Sequence, residues 1–298
     1  MHNIEIPDAD VRFTLPESFD EMTTEQFIFT VTIFHSLVMA RINVVDFYNI
    51  IIAKFIGIEK EAHTGYKTMA REYGQESVEN YYSNIVSLHP LLEYILTKDE
   101  ATGGISFNYK SVTNKIPQYH NLIGPKDAMM DCSFGEWIVL NDLYREYQET
   151  NSLDTLNVIV GTMYRDETPD YELAMVQPSF DGNRRVPFNK NLTEIYAKRV
   201  EKWDYSVKYA MLLFLINCIN FMHEGEILLH GRKISFTKLF TPSEGGSKSN
   251  LGSTGLAYKV AETGIFGTIK DTLNENVYNV YLKMLQWNEE YEEFTKKK

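Results

Sequence analysis

The most apolar stretch of this sequence runs from Tyr209 to Met222, and it limits what the chain can fold into. It contains two asparagines, and it is shorter than the roughly 20 apolar residues that cross the hydrocarbon core of a bilayer. The stretch therefore predicts a helix of a folded protein, from Trp203 to about His223, and no membrane span. The first residues lack a basic segment followed by an apolar run, so we expect no secretory signal and a cytoplasmic location.

Helix start signals recur along the chain and indicate that helices dominate the fold. Thr23 followed by Gln26 forms a capping box, and Ser133 followed by Glu136 is an N-cap with its partner glutamate at N3. Residues 44–56 carry apolar side chains on nearly all faces of a helix, which predicts deep burial. The expected helices are 24–40, 44–56, 60–73, 76–87, a turn at 91–96, 133–150, 153–164, one that starts at Asn191, 203–223, 256–262 and 276–294.

Other segments show strand patterning. The opening residues predict an extended arm, residues 105–112 alternate at a period of two, and residues 226–240 read as a strand pair. The fold class that follows is mainly α with a minor α+β component. We predict a multi-helix globular bundle with small β-hairpin elements near 104–112 and 226–240.

The domain organisation is expected to follow the change of pattern after residue 98. Residues 1–125 would form an N-terminal arm and helical region, and residues 126–298 a helical domain with long loops at 165–190 and 241–254. Within the first loop, Leu173–Val176 is predicted to be extended. The second loop is rich in glycine and serine, as mobile linkers are. A single domain is the alternative.

The charge balance limits the possible partners. The net charge is −12, from 41 acidic and 29 basic residues. Binding to duplex nucleic acid needs dense positive charge, so we expect no specific nucleic-acid binding. Arg184–Arg185 and Lys296–Lys298 are the candidates for a basic patch, and both are more simply interpreted as solvated charges of a loop and a tail. Cys132 and Cys218 lie far apart and indicate neither a disulfide framework nor a zinc site.

Two segments resemble sites in composition only. Residues 245–252 lack the glycine directly before lysine that a phosphate-binding loop requires, so we interpret them as a mobile linker. His223, Glu224, Glu226 and His230 resemble a metal cluster in composition only. Paired ligands on a helix lie three or four residues apart, but Gly225 is expected to end the helix just after His223, so Glu226 and His230 would lie outside it.

No enzyme signature emerges from the nucleophiles and acids. Cys132 precedes a helix start, but a single cysteine without a local partner usually contributes to packing, and His35 is interpreted as a core residue. We therefore predict no catalytic, cofactor-binding or metal-binding residues and a protein that is not an enzyme. An enzyme whose site assembles only in the fold is the alternative, and a cleft with perturbed acids around His223 or Asp127 would favour it.

Several short segments carry a resemblance when they are taken together. They are Leu15–Thr23, Gly124–Asp127 leading into Ser133–Glu136, Tyr144–Arg165, the turn Arg185–Asn189, and Ala261–Gly267. In this order they resemble a family of uncharacterised proteins encoded by phages and prophages of Bacteroidetes, among tail and neck genes. The segments contain mainly caps, turns and packing residues, and the resemblance brings no catalytic residues with it.

The resemblance implies a non-enzymatic role in phage morphogenesis, as a structural subunit of the virion tail or neck. Its partners would be other phage tail or neck proteins and copies of itself, a ring being one form of such a homo-oligomer. It would be located in the bacterial host cytoplasm during assembly and in the virion afterwards. The alternatives are a tail assembly chaperone that is absent from the mature virion, and a cytosolic adaptor unrelated to phages.

Overall fold

The structure, a computed structural model, describes residues 1–6, 11–57, 74–99, 103–178, 180, 182–229, 231–240 and 252–296. Helices dominate these residues, and the strands among them form two-stranded antiparallel sheets. The predicted fold class, mainly α with small β-hairpins, is confirmed. The expected helix at 60–73 lies outside the described residues.

The chain forms two compact units. The first comprises Met1–Ser111 and Asp204–Ala210, and the second comprises Val112–Trp203 and Met211–Lys298. The division expected at residue 125 stays a prediction, because spatial contacts alone do not establish which part folds by itself.

In its described residues the first unit contains two hairpins, three complete α-helices and the start of a fourth. The complete elements are β1 His2–Ile6, β2 Val11–Leu15, α1 Thr24–Val38, α2 Val44–Phe55, α3 Gln75–Ser87, β3 Leu96–Lys98 and β4 Ile105–Phe107, with 3₁₀ helices at Phe19–Glu21 and His89–Ile95. The predicted arm is extended and is paired as β1–β2, with His2 opposite Leu15. The hairpin predicted near 104–112 forms between β3 and β4, where Leu96 pairs with Phe107.

An aromatic cluster fills the core of the first unit. The ring of Phe19 lies 5.4 Å from that of Tyr94, 5.2 Å from Phe107 and 5.0 Å from Tyr109. The capping box that the sequence predicts is present, because the Thr23 hydroxyl accepts from the Gln26 amide and the Gln26 side chain accepts from the Thr23 amide. This cap starts α1 and places Phe27, which is buried, against Phe19.

The second unit holds the remaining elements. They are β5 Gln118–Tyr119, β6 Leu122–Ile123, α4 Phe134–Thr150, α5 Leu153–Met163, α6 Tyr171–Met175, α7 Thr193–Val200, most of α8 Tyr205–Glu224, β7 Glu226–Leu229, β8 Arg232–Ser235, α9 Thr237–Phe240, α10 Gly252–Glu262, α11 Ile269–Asn274 and α12 Val277–Lys296, with 3₁₀ helices at Asp127–Met129 and Lys190–Leu192. The hairpin predicted at 226–240 is β7–β8.

Helices α4 and α5 form the predicted helical hairpin. Asn151 ends α4 in the left-handed conformation, at φ 49°, and the Ser152 hydroxyl then accepts from the Thr155 amide to start α5. Helix α5 crosses α7 with backbones in near contact at Gly161, where an added Cβ would lie 2.5 Å from the amide nitrogen of Ala197. Glycine is therefore the residue that permits this crossing.

Helix α8 lies close to its predicted range of 203–223. Among the described residues, Tyr205–Glu224 is a helix whose length and composition would suffice to cross a membrane, and 61% of its apolar window is buried within the protein. Length and composition therefore do not distinguish this helix from a membrane span, and the expectation of no span stays a prediction. The burial is what the core helix of a folded domain shows, because its apolar faces pack against other elements of the chain.

Two expectations are wrong. Leu173–Val176 is not extended: Tyr171–Met175 forms α6, because Asp170 turns the chain and its carbonyl accepts from the amides of Leu173 and Ala174. The expected mobile loop ends before residue 252, since Gly252 begins α10. Ala257 and Val260 are buried on this helix, and that packing outweighs the low helix propensity of the glycines.

Candidate functional site

The second unit contains a cluster of four charged side chains that are nearly inaccessible to water. Asp131, Glu136, Arg165 and Arg185 have side chains at most 4% exposed. We call them the ion-pair network. Charged side chains are almost never buried to this degree unless they are paired, so the network is the feature of the second unit that most needs a physical account.

Glu136 lies at the centre of the network. Its Oε1 and Oε2 accept from Nη1 and Nη2 of Arg165 at 2.8 Å and 3.1 Å, which is the bidentate geometry of a strong carboxylate–guanidinium pair. Its Oε1 also accepts from Nη1 of Arg185 at 2.8 Å. Nε of Arg185 donates to Oδ2 of Asp131 at 3.1 Å. The two arginines and two carboxylates cancel in formal charge.

Local backbone structure positions each member of the network. Glu136 is in the first turn of α4, where Ser133 caps the helix by accepting from the Glu136 amide. Arg165 follows α5 and is held by a bridge to Ile123, with Ile123 N–H to Arg165 O at 2.8 Å and Arg165 N–H to Ile123 O at 3.0 Å. Arg185 follows α6, and its backbone pairs with that of Glu167.

Both arginines also donate to backbone carbonyls at the C-terminal end of α5, where the helix itself supplies no hydrogen-bond partner. Nη1 of Arg165 donates to Thr162 O at 2.6 Å, and Nη1 of Arg185 donates to Met163 O at 2.7 Å. These carbonyls belong to the last turn of α5, which carries the negative end of the helix dipole. Cations at this position therefore satisfy the carbonyls and the dipole together.

Electrostatics keep Glu136 ionised. Burial alone would raise the pKa of this carboxyl, but the Coulombic attraction and hydrogen bonds of Arg165 and Arg185 outweigh burial and hold its pKa below the ordinary value. Both oxygens are already bonded to guanidinium groups. Glu136 is therefore a fixed anion, and it is not available to donate or accept a proton in a reaction.

A cleft of about 640 Å³ lies beside the network. Its lining includes Asp131, Glu136 and Arg165 of the network, together with Asp271 and Glu275 from the region where α11 meets α12. No histidine is among its described lining residues. The cleft is polar and contains more carboxylates than cations.

The carboxylates that line the cleft bond to their own chain. Oδ2 of Asp271 accepts from the amide and hydroxyl of Thr268 at 2.9 and 2.7 Å, and this contact caps α11. Oε1 of Glu275 accepts from the Asn276 amide at 3.0 Å. Oδ1 of Asp131 accepts from the Lys126 amide at 2.9 Å. These groups fix turns and helix starts, and the geometry gives them a structural role.

The cysteines of the second unit are poor nucleophiles. Burial raises the pKa of the Cys132 thiol well above its ordinary value, and the nearby charge of Glu136 raises it further. Burial likewise raises the pKa of Cys218. The thiolate is the reactive form of cysteine, so both residues contribute packing at neutral pH.

The residues that the sequence singled out do not converge. The ring centroid of His223 lies 4.0 Å from that of Phe240, and burial lowers its pKa. Oδ1 of Asp127 accepts from the Asn114 amide at 2.8 Å. Neither residue lines the cleft beside the network. His230 and residues 245–251 lie outside the described part of the chain, and among described residues no group of three possible metal ligands occurs.

The interpretation of Arg185 as a solvated loop charge is wrong. Its neighbour Arg184 is exposed and pairs with Glu167, as a solvated charge does, whereas Arg185 is buried because Glu136 and Asp131 draw it inward. Glu136 also differs from the expected capping box: Ser133 caps its amide, but the glutamate side chain binds arginines. No local pattern of caps, turns or hydrophobic period in the sequence singles out the members of the network as buried ion pairs.

Three exposed apolar side chains lie within four consecutive residues of the segment that joins Arg165 to Arg185. Leu173 is 67% exposed, Val176 is 71% exposed, and Met175 is also exposed. We call these three residues the apolar arm. The base of the arm is formed by residues 166–168 and 184–186, where the two ends of the segment meet. Two backbone hydrogen bonds join these ends: the Thr168 amide donates to Arg184 O at 2.9 Å, and the Val186 amide donates to Asp166 O at 2.9 Å.

Comparison with models of protein families, with curated proteins and with solved structures found no match to this chain.

Proposed function

We propose that this chain is a non-enzymatic phage morphogenesis protein, a structural subunit of the tail or neck that assembles through protein–protein contacts. The observation that carries the proposal is the apolar arm. Leu173, Met175 and Val176 expose adjacent apolar side chains on a segment whose base is hydrogen-bonded. Clustered apolar exposure of this kind marks interaction surfaces of soluble proteins.

The way the arm is anchored supports an assembly role. The two ends of its segment are Arg165 and Arg185, and both are fixed by Glu136 in the buried network. Arg199 forms a bidentate pair with Asp166 at 2.8 and 2.7 Å, which adds a second anchor at the base. An anchored apolar segment loses less conformational entropy on binding than a free one, and this favours stable contacts.

The resemblance supplies the phage context of the proposal. The segments that carry it include Ser133–Glu136, Arg165 and Arg185–Asn189, which contribute three of the four residues of the network. Residues that resemble one family along the sequence therefore meet around a single structural feature. This convergence supports the proposed assembly role.

The test is quantitative mass spectrometry of purified virions from a host that carries the gene. We expect the chain in the virions at many copies per particle. Presence in infected cells without incorporation into virions would favour the assembly chaperone, and a gene that is expressed without any phage particle would contradict the proposal. Negative-stain microscopy of the purified chain would show whether it forms rings by itself.

A matched pair of variants tests the apolar arm. Leu173→Asp combined with Val176→Asp should lower incorporation into virions about tenfold, because both side chains would anchor the contact. The control is Val38→Asp, which places one charge on another exposed apolar residue, in the first unit. Thermal unfolding of all variants should match the parent, since these residues are exposed. Equal incorporation of the double variant and the control into virions would show that the arm is not part of the interface.

A further inference from the structure

A groove runs between β8 and α12 in the second unit. Its volume is about 490 Å³, and four consecutive residues of β8, Arg232 to Ser235, line one side. Successive side chains of a strand point to opposite faces. A groove that touches all four residues therefore follows the edge of the strand, where backbone groups are presented.

That edge of β8 has no strand beside it in the described part of the chain. The hairpin is a two-stranded sheet in which β8 pairs with β7, with Ile234 opposite Ile227. The outward amides and carbonyls of such an edge are a ready template for another extended chain. Pairing with an added strand is an established way in which domains bind peptides.

The opposite wall of the groove is one face of α12. Leu282, Leu285, Gln286 and Glu289 line it, and their spacing of three and four residues places them on the same side of the helix. With Ile234, the two leucines give the groove an apolar floor. This floor can take every second side chain of an extended peptide.

The charges of the groove indicate the chemistry of the occupant. Arg232, Lys233 and Lys238 line it together with a single carboxylate, Glu289, although the whole chain has a net charge of −12. Lys233 and Lys238 form exposed ion pairs with Glu226 and Glu292. Exposed pairs contribute little stability, so these lysines can exchange partners at small cost.

A second copy is a poor occupant for the same edge. Full antiparallel overlap of two β8 strands would place Arg232 of each copy diagonally from Lys233 of the other, on the same face of the sheet. Like charges at this short spacing repel each other. An acidic strand, in contrast, would place its carboxylates beside these cations. Charge complementarity therefore favours an acidic partner.

We propose that this groove binds an extended acidic segment of a partner protein, which adds to the free edge of β8 as a third strand and sets alternate apolar side chains on the floor. The inference rests on the proposed binding role and does not need the apolar arm. It assigns a second contact surface, suited to an extended segment.

The test uses fluorescence polarisation with a labelled peptide of about eight alternating Glu and Val residues. A peptide with Lys in place of every Glu is the charge control. We expect the acidic peptide to bind at least tenfold more tightly than the basic one, and added salt to weaken its binding. Equal binding of the two peptides, or binding of neither, would overturn the proposal.

Two backbone-methylated peptides test strand addition without changing the protein. One carries N-methyl groups on all its Glu residues and the other on all its Val residues. Only one set of amides faces the edge of β8, so one methylated peptide should lose binding about tenfold and the other should keep it. If both methylated peptides lose binding, or if both keep it, the peptide does not add to the edge of β8 as a strand.

Protein variants locate the site. Lys233→Glu should weaken binding of the acidic peptide about tenfold, because Lys233 lies on the face opposite Ile234, where the peptide's Glu side chains would point. Lys198→Glu, the same charge change at an exposed position of α7, should change binding less than twofold. A variant that carries a glycine-serine segment of equal length in place of residues 241–251 tests whether the chain itself fills the groove. If this variant binds the acidic peptide and the parent does not, the occupant is the chain's own segment. Competition between the peptide and self-association would assign the edge to a second copy. Either result overturns the proposal, whereas virion incorporation can still succeed.

Discussion

Glu136 combines two tasks that are usually carried by different residues. Its amide is capped by Ser133 at the start of α4, and its carboxylate joins Arg165, which follows α5, to Arg185, which follows α6. Because both oxygens bind guanidinium groups, a change at this one side chain leaves two buried cations without their shared anion. The network is therefore sensitive to the removal of any one member.

The first expected outcome concerns Glu136→Gln. The amide keeps the shape of the side chain but not its charge, so Arg165 and Arg185 would remain buried with only Asp131 to balance them. We expect the free energy of unfolding at neutral pH to fall by about 3–5 kcal/mol. Urea denaturation measures it. Glu149→Gln, at an exposed position of the same helix, is the control and should change stability by less than about 0.5 kcal/mol.

The difference in free energy of unfolding between the parent and Glu136→Gln should depend on pH, because the pKa of Glu136 is lowered in the folded state. A carboxyl whose folded-state pKa is depressed contributes stability above its unfolded pKa, about 4.3, and loses it as pH falls through the folded value. The difference between parent and Glu136→Gln should therefore be constant from neutral pH to about 5 and shrink in more acidic solution. A difference that stays unchanged down to about pH 2 would contradict the assignment.

Local signals explain which residues the sequence could predict. Thr23, Ser133 and Ser152 cap helices through contacts with amides three residues away, so a short window contains the whole interaction. The ion-pair network joins residues that lie far apart, and nothing near Arg185 distinguishes it from the exposed Arg184. Burial of such a charge depends on the tertiary fold, which the sequence patterns do not specify.

At the scale of elements, the crossing of α5 and α7 is set by one residue. An added Cβ on Gly161 would meet the backbone of Tyr196 and Ala197 at 2.5 to 2.9 Å, and backbone cannot rotate away as a side chain can. The helix periods were visible in the sequence, and α4, α5, α8 and α12 lie close to the predicted ranges. Which helices cross, and at which glycine, was not visible, because periodicity identifies a buried face but not its partner.

Gly161→Ala tests the crossing. In an open helix position, this change stabilises by up to about 1 kcal/mol, because alanine has the higher helix propensity. Here we expect the opposite sign, a loss of about 1–3 kcal/mol from overpacking against α7. The direction in which the midpoint of thermal unfolding moves gives the sign of this change in stability. Lys198→Ala on the exposed side of α7 should be nearly neutral, and stabilisation by Gly161→Ala would show that the helices are further apart.

At the scale of the whole molecule, the tryptophans offer a selective probe. The three tryptophans, Trp137, Trp203 and Trp287, all belong to the second unit, whereas both units contain helices that contribute to circular dichroism. Helix α8 supplies Asp204–Ala210 to the first unit and continues into the second from Met211. Each amide of an α-helix bonds to the carbonyl four residues earlier, so unravelling of the α8 residues before Met211 also breaks the bonds of the four amides that follow.

We therefore expect urea unfolding followed by tryptophan fluorescence and by far-ultraviolet circular dichroism to coincide in one transition. Proline at Leu212, in the part of α8 that belongs to the second unit, should lower the midpoints of both probes together, because it breaks the helix that both units need. Proline at Glu79, within α3 of the first unit, is the comparison and should also shift both curves. A circular dichroism transition that precedes the fluorescence change would mean that the first unit unfolds alone, and α8 would then not couple the two.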